Sequence, residues 1–208
     1  RERTGATYDF LGRLSGYQDS ITTTQYVVMP AAEGMADTDA ISATVSHEVR
    51  TWEGGSYDVD GRLTGYAEIV VNENGTQRKN WQGSFNQKGE LIRSKETFDN
   101  GRGLVTTTSL DAFAFDGRGR ASSSRQIQYF SDQPGIAVIT DVAGRVFDRY
   151  GQASGGKEVV VTVGVAVDGR TVHLTRESEI EGAVYESGAL RGYTENSRTY
   201  GTDLSLTW

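Results

Sequence analysis

Short runs rich in Val, Ile, Thr, Tyr and Phe, broken by Gly, Asn and Asp, occupy almost the whole chain. Residues 66–72, 104–115, 125–130, 136–140, 158–167 and 171–176 are the clearest, and their composition suits a pleated, half-buried surface. Asn74-Gly75, Asn100-Gly101 and Gly155-Gly156 are expected to supply turns at one end of the hairpins. No segment combines capping residues with helical periodicity. The single helix candidate, 31–43, is interrupted by Gly34. The pattern predicts an all-β chain.

A second kind of turn recurs. The decapeptide Tyr8-Asp9-Phe10-Leu11-Gly12-Arg13-Leu14-Ser15-Gly16-Tyr17 matches residues 57–66 at seven of ten positions. Phe85-Asn86-Gln87-Lys88-Gly89 and Phe115-Asp116-Gly117-Arg118-Gly119 keep the aromatic, the Asx residue and the Gly. Weaker copies are placed at Asp141 to Arg145, with Gly144 in the Gly slot, at residues 165–170 with Gly169, and at 184–188 with Gly188. An Asx side chain can cap a tight turn, and Gly can take the left-handed position that closes a type I turn with a bulge. The structural turn residues are therefore Asp9, Gly12, Asp58, Gly61, Asn86, Gly89, Asp116, Gly119, Gly144, Gly169 and Gly188. Tyr17, Tyr66 and Tyr193 follow at a constant offset, where their rings can stack on neighbouring hairpins.

Seven such slots predict about fourteen strands in one antiparallel meander of repeated hairpins. The expected form is an elongated, twisted sheet, with a closed barrel or a sandwich as alternatives. Residues 1–208 form a single array, with a loop insertion near 29–43 where one hairpin is replaced. The chain starts Arg1-Glu2-Arg3 and stops at Trp208, where a further Trp-led unit would begin, so it reads as a fragment of a longer protein.

Composition narrows the function classes. Twenty-six glycines, two prolines and no cysteine exclude disulfides and thiolate metal sites. The formal charge of −7 argues against nucleic acid as a partner, because phosphate binding needs a basic surface. Membrane insertion is not expected: no apolar run is long enough for a helix. The alternating Tyr200, Leu204, Leu206 and Trp208 look like a barrel strand, but Arg176 shares a face with Val172 and Leu174.

Candidate chemistry is thin. His47 and His173 each sit in strand-like segments. The acidic pairs Asp58/Asp60 and Asp37/Asp39 lack the further ligands of a calcium loop, and Glu177, Glu179 and Glu181 read as a solvated stripe. No catalytic residue, metal site or cofactor is assigned, and the chain is not expected to be an enzyme. The tryptophans Trp52, Trp81 and Trp208 are candidates for ligand stacking.

The unit Tyr57-Asp58-Val59-Asp60-Gly61-Arg62-Leu63-Thr64-Gly65-Tyr66, with Trp52-Glu53-Gly54 before it, resembles the YD repeat of RHS proteins and the hairpin arrays of very large bacterial haemagglutinin-like surface proteins. The resemblance covers residues 8–17 and 57–68 most clearly, and fades beyond Gly119. It implies an extracellular or cell-surface location and a structural role as spacer or scaffold, with neighbouring repeats of the same chain as the first partners. A carbohydrate- or protein-binding adhesin module and a segment of an RHS-like encapsulating shell are the alternatives.

Overall fold

The computed structural model describes residues 1–29, 40–186 and 188–201. Twelve strands follow one another: β1 Glu2–Tyr8, β2 Leu14–Met29, β3 Ala40–Tyr57, β4 Leu63–Asn72, β5 Gly75–Phe85, β6 Leu91–Asp99, β7 Val105–Phe115, β8 Ala121–Phe130, β9 Ile136–Phe147, β10 Ala153–Val165, β11 Thr171–Glu186 and β12 Ala189–Gly201. They form one antiparallel sheet in strictly sequential order. The sheet is open: β1 and β12 are its two edges, so the closed barrel and the sandwich are not formed.

Twelve strands rather than fourteen follow from six corners on one edge instead of seven. Between Asp9 and Asp58 the described residues form one long hairpin. There β2 and β3 are simply long, paired without interruption from Tyr17↔Trp52 to Met29↔Ala40. The rest of the proposed loop, 30–39, lies outside the described residues, as do Asp37 and Asp39.

All substantial packing joins sequence neighbours, so the sheet is one layer thick. The accessible surface of 13805 Å² far exceeds the ~9,500 Å² expected of a compact monomer of this mass. Among the described residues only Ala112, Ile136, Val172 and Leu174 are buried apolar side chains, and the last three cluster with Thr162 on one face of β9–β11. Stability therefore rests on ladder hydrogen bonds and cross-strand side-chain pairs, each of the latter contributing about 0.2–1 kcal/mol. Alternation keeps Thr, Val and charged residues half-exposed on both faces, which the low apolar content of 36% anticipates.

Strands running towards the corner edge carry a bulge just before it. Gly5, Gly54, Gly144 and Gly182 each stand four residues ahead of the corner position with φ near +62 to +67°. The register shifts there, so two residues oppose one and the strand bends.

Gly61 has φ +80° and open space around it, so substitution there is opposed by backbone strain alone. Gly61→Val is expected to cost about 1–3 kcal/mol, lowering Tm by several degrees. Gly117→Val, in the same kind of turn with ordinary φ and equal space, is expected to be nearly neutral. Equal melting temperatures for the two variants would refute the turn geometry.

Candidate functional site

Five corners share one hydrogen-bond scheme. At the first, Asp9 N–H donates to the Arg13 carbonyl at 2.8 Å and Gly12 N–H to the Asp9 carbonyl at 3.0 Å, closing the type I turn and its bulge. One Asp9 oxygen also accepts from Leu11 and Arg13 N–H, both at 2.9 Å. Asp58, Asn86 and Asp116 repeat this. The fifth corner, Asp148 with Gly151, follows the same scheme. The side chain thus satisfies amides that the turn leaves without a ladder partner.

At the first, second and fourth corners the residue after the corner Gly ties one corner to the next, whereas Glu90 at the third accepts from its own Asn86 at 2.6 Å. Arg13 Nε donates to Asp9 at 2.7 Å, its Nη1 donates to the Asp58 carbonyl of the next corner at 3.2 Å, and its guanidinium lies 4.7 Å from the centre of the Tyr57 ring. Arg62 does the same with Asp58, the Asn86 carbonyl and Phe85. Arg120 holds Asp116 and lies over Phe147, while Arg118 reaches the Arg149 carbonyl. Each exposed cation–π contact is worth about 0.5–1 kcal/mol. Tyr57 adds a direct bond, donating to the Leu14 carbonyl at 2.6 Å, and Tyr185 repeats it to Ala153.

On one face the rings of Tyr17, Trp52, Tyr66 and Trp81 form a continuous ladder across β2–β5, with centroids 5.6 to 5.9 Å apart. Tyr17↔Trp52 and Tyr66↔Trp81 are directly paired residues. The Trp rings lie across Gly55 and Gly83, where a side chain would collide with them. Arg3 covers the outer end of the ladder, 3.9 Å from the Tyr17 ring centre. Beside it the fully buried Asp19 carboxylate is gripped by Arg1 and Arg3. The Arg3 and Arg1 bonds hold Asp19 well below the usual carboxylate range. Desolvation pushes Asp9 and Asp58 up, but amide and guanidinium donors outweigh it and both finish lowered. At Asp116 the Arg120 guanidinium leads, and the carboxyl is held at about 2.

Not every residue expected at a corner stands at one. Gly144 lies inside β9 at its bulge, and Asp141 faces Arg125 across the strand pair at 2.7 Å. The true corner is Phe147-Asp148-Arg149-Tyr150-Gly151, whose aromatic–Asp–x–x–Gly pattern is plain in the sequence. Gly169 is a turn glycine on the opposite edge, with Ala166 rather than an Asx residue opening the turn. Gly188 stands between the paired Glu186 and Ala189 on the corner edge. Asn100 caps the opposite-edge turn to Leu104 in the Asx manner. Glu73-Asn74 forms the turn between paired Asn72 and Gly75, and Gly155-Gly156 lies within β10. Trp208, Leu204 and Leu206 lie outside the described residues.

The remaining chemistry does not converge. His47 is on β3 beside Thr22, and His173 is on β11 opposite Val163. Asp58 and Asp60 both bind Arg62, and Glu177 accepts from Arg198 and Tyr200. Among the described residues no group of three or more His, Cys, Asp or Glu could hold a metal ion. The chain matches no protein-family model, no curated protein and no solved structure.

Because the folded Asp116 pKa of about 2 lies below the unfolded value, its contribution to stability is complete above pH ~4 and is lost as pH falls towards 2. The stability gap between the wild type and Asp116→Asn should be constant from pH 7 to about 4 and shrink towards pH 2 in urea titrations. A gap independent of pH would remove Arg120–Asp116 from the corner's energetics.

Proposed function

We propose that the chain is a structural repeat segment, a spacer or scaffold, of a large secreted or cell-surface bacterial protein. The observation that carries this reading is the corner-to-corner clasp, in which Arg13 and Arg62 each bind their own corner and the carbonyl and ring of the next. Such a clasp makes one hairpin a support for the next, and energy in such arrays is approximately a sum of unit and neighbour terms. An edge that still offers ladder groups is what a stacking scaffold requires. The resemblance of residues 57–66 to YD repeats points the same way.

A second reading, an adhesin module, draws on the ladder. Tyr17, Trp52, Tyr66 and Trp81 present one half-exposed aromatic strip, and aromatic faces suit sugar rings.

A modular spacer tolerates removal of whole units. Excising residues 86–115 joins Phe85 to Asp116, restores an aromatic–Asp–x–x–Gly corner and pairs β5 with β8. The ten-stranded product should fold, with β-type circular dichroism and a cooperative melt. Excising 86–104, which removes one strand and reverses chain direction, should not. An unfolded 86–115 deletion would sink the scaffold reading. For the second reading, a glycan-array signal should vanish in Trp81→Ala; a signal that survives takes the ladder out of it.

A further inference from the structure

The ladder has a frame that can be followed to the other end of the sheet. In the best copy Trp52 precedes the corner Asp58 by six residues, Gly55 by three, and Tyr66 follows the corner Gly61 by five. Around the fifth corner the same places hold Val142, Arg145 and Gly156. Around the last they hold Ile180, Ala183 and Tyr193. The frame is structural as well as numerical, since Tyr185 donates to the Ala153 carbonyl just as Tyr57 donates to Leu14. So two Trp rungs have become Val and Ile, and one Tyr rung has become Gly.

The missing rings leave a space. A notch of about 260 Å³ opens there, lined by Val142, Arg145, Ile180, Tyr185, Leu190 and Tyr193. Gly156, paired with Ile180, lies between the walls and adds no side chain. Its φ of +140° and the close Arg145 backbone keep it glycine, so the gap is fixed by the bulged backbone. The size sits just under the ~300 Å³ at which ligand pockets usually begin, which suits one ring rather than a chain of them.

The rim selects the ring. Tyr193 and Leu190 are about half exposed and give an apolar wall, while Glu158 and Ser178 offer acceptors for hydroxyl groups. Lys157 is already paired with Glu179 at 3.3 Å. Arg145 has no acidic partner among the described residues. An aromatic wall, hydroxyl acceptors and one uncommitted guanidinium together match a pyranose that bears a carboxylate.

We propose that the vacated rung between Val142, Gly156, Ile180 and Tyr193 binds a single acidic sugar residue, a uronic acid, with Arg145 on its carboxylate. The proposal deepens the adhesin reading but places the site away from the Trp ladder, so each can fail without the other.

The test is amide chemical-shift titration of the ¹⁵N-labelled chain with methyl β-D-glucuronide and with methyl β-D-glucoside. The glucuronide should shift amides around Gly155, Gly156, Ile180 and Tyr193, and bind two- to fivefold tighter than the glucoside, the margin an exposed ion pair provides. Arg145→Gln should erase that margin without loss of fold. Val142→Trp with Arg145→Gly, which rebuilds the rung as Trp52 and Gly55 do, should abolish binding of both sugars. No localised shifts, equal binding of the two sugars by the wild type, or undiminished binding by the rebuilt rung would each overturn the proposal. Should the rebuilt rung not fold, the Arg145→Gln comparison decides alone. Loss of fold on excising 86–115 speaks only to the scaffold, since the notch lies wholly within β9–β12.

Discussion

One Asx oxygen that accepts two backbone N–H groups underlies every corner of the described edge from Asp9 to Asp148. A turn this tight leaves amides pointing away from the ladder, and the described residues form one sheet with no second layer to bind them. The side chain that does so also fixes the register of the hairpin. Once Asp58 holds the Asp60 and Arg62 amides, Tyr57 must pair with Leu63, and a slip by one residue would turn every side chain to the other face. The guanidinium that completes the corner then reaches the next carbonyl, so register passes from one hairpin to its neighbour.

That arrangement explains how a sheet with four buried apolar side chains among its described residues can still specify one strand order. A conventional domain selects its topology by burying one face, and this chain leaves both faces largely in contact with water. Specificity comes instead from contacts repeated along one edge and from the four-ring ladder, whose pairs add about 0.5–1.5 kcal/mol each beyond their burial. Where the ladder stops, beyond Trp81, the partners on the same face are Glu96, Thr108 and Gln128. The apolar cluster of Ile136, Val172 and Leu174 then takes over on β9–β11.

The bulges have two consequences. Near the first corners they let the glycine before each ladder tyrosine come against a hydroxyl: Thr7 donates to the Gly16 carbonyl and Ser56 to that of Gly65, both at 3.4 Å. A side chain on Gly16 or Gly65 would strike that hydroxyl. Near the last corners the same bends, with Val142 and Gly156 in place of rings, open the notch that Arg145 borders.

The sequence alone determined the strand-rich character, the tight corners at Asp9, Asp58, Asn86 and Asp116, and the meander that sequential hairpins imply. These are local properties: an aromatic–Asx–x–x–Gly segment closes through bonds within five residues. Sequence also pointed to the ladder tyrosines, since Tyr17 and Tyr66 each follow the corner aromatic by nine residues. The aromatic before Asp148, missing before Asp141, marks the corner in the sequence; the tertiary structure decided what Asp141 does instead, facing Arg125 on another strand. It also decided that Gly169 turns on the opposite edge and that the sheet stays open with twelve strands. Pairing across strands sets those outcomes, and residues far apart in the chain must meet before the pattern of either one has a meaning.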